Sequence, residues 1–169
     1  MKILILISIF LAVLSADPRR PDKIPFNTRE YGLKINAVHG ARVRNVRIGE
    51  YIHTGVDYKL PINATILAAG DGIAYIEEWE VKSNGNPRVS DFTDRAVEID
   101  HGIVDGKKTK SIYGHLSGFA VKNGQRVKKG DVIGYIGTTR MTTPHLHYEI
   151  HIDGKAVCPV DYQLRHSNK

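Results

Sequence analysis

The run His145-Leu146-His147-Tyr148-Glu149-Ile150-His151-Ile152 constrains this chain more than any other stretch. Polar and apolar residues alternate through every position of it. Successive side chains on a strand point to opposite faces, whereas a helix repeats about every 3.6 residues. The pattern therefore predicts a strand with Leu146, Tyr148, Ile150 and Ile152 against a core. His145, His147, Glu149 and His151 should then line a cleft.

Shorter β-type runs recur between glycine turn signals. They are Thr65–Ala69 before a tight turn at Gly70-Asp71-Gly72, Ile73–Trp79, Ala96–Asp100, Thr109–His115 after a turn over Gly102–Lys107, and Asp131–Ile136. Asn123-Gly124 marks a further turn. Strands at this spacing argue for an all-β sheet, sandwich or barrel. The polar stretch Glu80–Arg95, with Asn84-Gly85-Asn86-Pro87, reads as a long loop or hairpin tip. No run after residue 16 has convincing helical periodicity, and no internal repeat is visible. A length of 169 residues suits a single domain, and 41% hydrophobic residues suffice for a globular core.

The first segment stands apart. Met1-Lys2 precedes an apolar run, Ile3–Leu14, interrupted only by Ser8 and followed by Ser15-Ala16. This predicts a secretory signal peptide over residues 1–16. The run holds about a dozen residues where a spanning helix needs roughly 20, so no stable membrane insertion is expected after cleavage. The destination is then extracellular, periplasmic or wall-associated. Residues 17–34, punctuated by Pro18, Pro21 and Pro25, read as an extended N-terminal segment. Removing residues 1–16 removes Lys2 and no acid, which takes the net charge from +6 to +5. The basic residues are scattered and match no nucleic-acid motif, which leaves a mild bias toward anionic surfaces such as wall polymers. Cys158 is the sole cysteine, which excludes an intramolecular disulfide, and it reads as a small buried residue. Asn63-Ala64-Thr65 is a glycosylation sequon. A monomer is the default expectation.

Chemistry concentrates in three separated stretches: His53-Thr54-Gly55-Val56-Asp57, Tyr113-Gly114-His115-Leu116 and Pro144-His145-Leu146-His147. Imidazole nitrogen and carboxylate oxygen are zinc donors, and a catalytic zinc takes three protein ligands and keeps one position open. The set holds enough groups for three ligands and two proton-handling histidines. His53 and Asp57, four apart, share a face if their segment is extended, and Gly55 removes bulk between them. Tyr113 and His115 are likewise in phase. A His-x-His pair alone is weak evidence, because plain strands carry it too. His39, His101, His151 and His166 receive no functional role.

The three stretches occur in one order, with Gly70-Asp71-Gly72, Val121–Gly130 and Ile133-Gly134-Tyr135-Ile136-Gly137 between them. In this combination the chain resembles the M23 zinc metallopeptidases, the lysostaphin and LytM type of peptidoglycan endopeptidase. Gly40-Ala41-Arg42 matches that family's opening Gly-x-Arg segment. The resemblance implies one peptidase domain over residues 35–164 with a short tail, 165–169. It implies an antiparallel β-sheet core of split-barrel or barrel-sandwich type under a substrate groove. It implies one zinc per chain on His53, Asp57 and His147, with His115 and His145 as catalytic residues that handle protons and polarise the scissile carbonyl. The implied substrate is bacterial peptidoglycan. One departure is the approach Gly137–Pro144, which lacks the family's usual glycines; its residues Thr138–Thr143, with Glu80–Arg95, are expected to set the bond cleaved. The rival reading is a secreted zinc-binding relative without catalysis, a signal or an activator of wall hydrolases. The presence of all five site positions favours the enzyme.

Overall fold

The computed structural model describes residues 35–37, 42–45, 49–81, 92–137 and 143–166. The expected signal peptide, the segment 17–34, His39, Gly40-Ala41 and most of the Gly137–Pro144 approach lie outside the described residues.

Among those residues the chain forms strands of 3 to 13 residues and a single helix. The strands are β1 (Ile35–Ala37), β2 (Arg42–Asn45), β3 (Gly49–Ile52), β4 (Val56–Lys59), β5 (Thr65–Leu67), β6 (Gly72–Val81) and β7 (Phe92–Val104). There follow β8 (Lys107–Gly114), β9 (Leu116–Phe119), β10 (Gln125–Val127), β11 (Val132–Ile136), β12 (His145–Ile152) and β13 (Lys155–Val157). The helix, α1, is Pro159–His166.

The large sheet runs β1-β4-β12-β8-β7-β6-β10, with β13 also paired to β12. A small sheet runs β5-β11-β9, and β2 pairs β3. Every pairing is antiparallel. The fold is thus all-β and antiparallel, as expected. Two hairpins close on Asp-Gly pairs with positive φ at both residues: Asp105-Gly106 (48° and 79°) joins β7 to β8, and Asp153-Gly154 (50° and 79°) joins β12 to β13. Such turns share the right-handed twist of the strands they connect.

The alternation in β12 sorts as the sequence predicts. Leu146, Tyr148 and Ile150 are buried, and Ile152 packs against the same core. Facing them are Val56 and Tyr58 from β4, Val97 and Ile99 from β7, Tyr113 from β8, and Ile66, Ile133 and Ile136 from the small sheet. Fully burying one such side chain stabilises by about 1.5–3 kcal/mol. Tyr113 also satisfies its phenol, which accepts from the Ala69 N–H at 2.7 Å and from the Ser111 hydroxyl at 3.0 Å.

Several expectations need correction. Gly70-Asp71-Gly72 closes no hairpin; it carries the chain from β5 in the small sheet to β6 in the large one. The polar stretch is shorter than Glu80–Arg95, because β6 and β7 pair out to Val81 opposite Phe92. Residues 82–91 lie outside the described set. The helix α1 is absent from the sequence reading: its eight residues are too few to show a period, although Pro159 opens it and Asp161 sits in its first turn, both favourable there. Cys158 is half-buried, not fully buried.

Candidate metal centre and its flanking histidines

β4 and β12 are neighbours, and their register sets His147 directly opposite Asp57. Opposed residues of an antiparallel pair share a face with Cβ atoms about 4.5–5.5 Å apart. His53 arrives from the loop that precedes β4, which bends at Gly55, so the extended segment on which the two would share a face is not what brings them together. The close approach of β12 needs glycine there: a Cβ at Gly55 would run into the Tyr148 carbonyl oxygen and lie 2.9 Å from Glu149 Cγ.

The three donors converge. His53 Nε2 is 3.0 Å from Asp57 Oδ1 and 3.1 Å from His147 Nδ1, and His147 Nδ1 is 2.9 Å from the same carboxylate oxygen. Donors sharing one tetrahedral zinc stand about 3.3 Å apart, given bonds near 2.0–2.1 Å. The direct contact between His53 Nε2 and His147 Nδ1 can hold one proton at most, whereas a cation between the three donors would satisfy all of them. These residues could hold a metal ion.

Charge favours the same occupant. Burial would raise the Asp57 carboxyl, but hydrogen bonds from His147 and His53 outweigh it and hold the group well below the usual carboxylate range. Burial would lower His147, yet Asp57 and Glu149 together push it up to about 9. The site therefore stabilises positive charge at its centre.

Behind His147 stands Glu149. His147 Nε2–H donates to Glu149 Oε1 at 2.6 Å, which turns Nδ1 toward Asp57. Thr54 Oγ1 donates to the same oxygen, and His151 Nε2 donates to Oε2, each at 2.5 Å. Carboxylate support of this kind fixes the tautomer and ring orientation of a metal-binding histidine.

His145 and His115 flank the centre. His145 is buried; its Nδ1–H donates to the Thr143 carbonyl at 2.8 Å, and its Nε2 lies 3.7 Å from Asp57 Oδ2. Burial lowers its pKa from the ordinary imidazole value. His115 stands with its ring centroid 4.7 Å from that of His145 and 5.7 Å from that of His147. Its Nδ1–H donates to Asp94 Oδ2 at 3.0 Å and lies 3.2 Å from Oδ1. Tyr113 and His115 do not share a face as expected. β8 ends at Gly114 and His115 takes φ = 63°, so Tyr113 enters the core while His115 turns into the cleft.

All five residues singled out from the sequence meet here. Three further groups do too. Glu149 is legible in the sequence, since it shares the histidine phase of β12. Thr54 and Asp94 give no signal there. Of the histidines given no role, His151 reaches the site through Glu149. His101 instead bridges the Asp71 carbonyl and Ser111 in a structural link.

Known proteins resemble the chain in sequence and in fold. Residues 51–159 match peptidase family M23. The peptidoglycan DD-endopeptidase ShyC of Vibrio cholerae is 41% identical over 103 residues, which cover 60% of this chain and 21% of that protein. A zinc-containing peptidase from Vibrio cholerae superposes with a TM-score of 0.55 at 29% identity, over 75% of this chain and 36% of that one. The catalytic domain of the antimicrobial peptidase lysostaphin from Staphylococcus simulans gives 0.57 at 25% identity, over 79% of this chain and 94% of that domain. The chain spans between 21% and 27% of the length of the curated relatives it matches. With the family match extending over more than half of its residues, the chain belongs to peptidase family M23.

Proposed function

We propose that this chain is an extracytoplasmic zinc endopeptidase that cuts peptide cross-links of bacterial peptidoglycan. The observation that carries the reading is the convergence of His53, Asp57 and His147 with two further imidazoles beside them. Family membership and the peptidoglycan DD-endopeptidase among its relatives support the substrate class. The zinc-containing peptidase and the His53, Asp57 and His147 group support the metal. The sequence of residues 1–16 supports export.

Each residue then has a part. His53, Asp57 and His147 would hold the metal, which would supply a Lewis acid and make water more acidic. His115 has committed Nδ1 to Asp94, so its Nε2 is the proton acceptor for the attacking water. His145 has committed Nδ1 to Thr143, and its Nε2 sits on the Asp57 side of the centre. From there it steadies the carbonyl oxygen or passes a proton to the leaving amine. The balance is that of hydrolysis: the C–N bond breaks, hydroxyl adds to the carbonyl carbon, and the amine gains a proton. Positioned acid–base groups contribute about 10²–10⁴-fold.

The test is digestion of purified peptidoglycan from several wall types, read by mass spectrometry, with and without chelator and with His115→Ala. Chelator-sensitive release of defined muropeptides by the wild type alone supports the reading. Absence of release by zinc-loaded protein overturns it.

A further inference from the structure

We propose that Asp94 is the positioning residue of His115: it fixes the tautomer and ring direction that make Nε2 the proton acceptor. This rests on the function proposed above and goes beyond it, because Asp94 acts on the histidine and not on the three metal donors.

The sheet delivers Asp94 to this place. β7 pairs β8 with Val97 opposite Tyr113. Counting back along β7 from that pair brings Asp94 past the end of β8, level with the His115-Leu116 step. Asp94 also stands opposite Trp79 of β6, so it is held between two neighbouring segments. Asp94 is only 6% exposed, which sets it apart from an ordinary solvated surface acid. Oδ1 accepts the Arg95 backbone N–H at 2.9 Å, and that contact fixes the plane of the carboxylate. Both oxygens then face His115 Nδ1, at 3.2 and 3.0 Å.

His115 needs such a fixture. It is a non-glycine residue at φ = 63°, a conformation that L side chains adopt only where the surroundings hold it. Its ring is a quarter exposed, so packing alone does not fix its direction. A neutral imidazole carries one N–H, and the nitrogen that bears it is set by what the other end of the ring meets. A carboxylate only accepts, so Nδ1 holds the proton and Nε2 keeps its lone pair toward the cleft. Losing an equivalent carboxylate from an Asp–His pair costs serine proteases about 10⁴-fold through the wrong tautomer. Here the histidine is one of two, and the expected loss is smaller.

The experiment uses the full zinc-loaded chain and four proteins: wild type, Asp94→Ala, His115→Ala and the double variant. Asp94→Ala is expected to lower kcat by about 10–100-fold with KM within about twofold and zinc content unchanged. In the His115→Ala background the same substitution should have no further effect, since residues acting as a unit are not additive. Asp94→Glu should recover part of kcat. Long-range ¹H–¹⁵N spectra of the imidazoles supply a readout independent of turnover: the Nδ1-protonated signature of His115 should be present in wild type and lost in Asp94→Ala. An equal loss of activity in both backgrounds, or an unchanged His115 signature in Asp94→Ala, overturns the proposal. If wild type cuts no wall at all, the proposed function fails, and the imidazole spectra alone decide the role of Asp94.

Discussion

Two histidines in this cleft lean on a carboxylate, and they do so from opposite ends of the ring. His147 gives Nε2 to Glu149, two residues along the same strand, and keeps Nδ1 for the metal position. His115 gives Nδ1 to Asp94, 21 residues away on another strand, and keeps Nε2 for the cleft. The first pair needs nothing except β12 itself, because alternate residues of a strand share a face. The second pair needs the register of β7 on β8 and a positive φ at His115. One support is built into a single strand and backs a proposed metal ligand; the other is assembled across strands and backs the proposed proton acceptor. Removing the two histidines should therefore separate binding of the metal from use of it.

The largest effect is expected at the ligand. His147→Ala removes one of three donors and leaves only His53 and Asp57 of the triad, so bound zinc measured by atomic absorption should fall to background together with hydrolysis. His115→Ala should keep full zinc stoichiometry and lose about 10²–10⁴-fold in kcat. Zinc loss in the His115 variant would erase the distinction between the two histidines.

The same distinction explains what is legible in the sequence. The period-two pattern of His145–Ile152 shows both the core face and the cleft face, and Glu149 falls in the cleft phase for the same reason as His147. His53 and Asp57 are reached through family resemblance, since their convergence depends on a bend at Gly55 that spacing alone does not disclose. Asp94 is hidden because its partner is fixed by strand register, which a local pattern does not encode. It also lies in a polar stretch that reads as loop, whereas Phe92–Arg95 pairs with β6. His115 reads as in phase with Tyr113 because a positive φ on a non-glycine residue leaves no trace in composition. The helix α1 is shorter than the window needed to see a helical period.

A smaller effect is expected one step behind the metal. Glu149→Ala leaves all three donors in place but frees His147 to turn, and loss of such support typically lowers metal affinity about 10–100-fold. Competition against a chromogenic zinc chelator measures it. Asp94→Ala in the same titration should leave zinc affinity within about twofold. Equal losses from both substitutions would mean that the two carboxylates serve one site collectively.

The smallest effects test how each carboxylate is itself held. Glu149 depends on side chains, accepting from Thr54 and His151, whereas Asp94 takes a backbone N–H from Arg95. A side-chain substitution can remove the first kind of contact and not the second. Thr54→Val deletes one hydrogen bond to Glu149 with little change in volume. A hydrogen bond of this sort contributes about 0.5–1.5 kcal/mol net, so zinc affinity should fall about 2–10-fold. Arg95→Ala removes the ion pair with Glu78 at 2.6 Å, but both of those side chains are substantially exposed. Such pairs are worth about 0–1 kcal/mol. The Arg95 N–H survives the substitution, so kcat should stay within about twofold and the melting temperature should barely move. A large drop in kcat for Arg95→Ala would show that the guanidinium, and not the backbone, orients Asp94, and the two supports would then be alike after all.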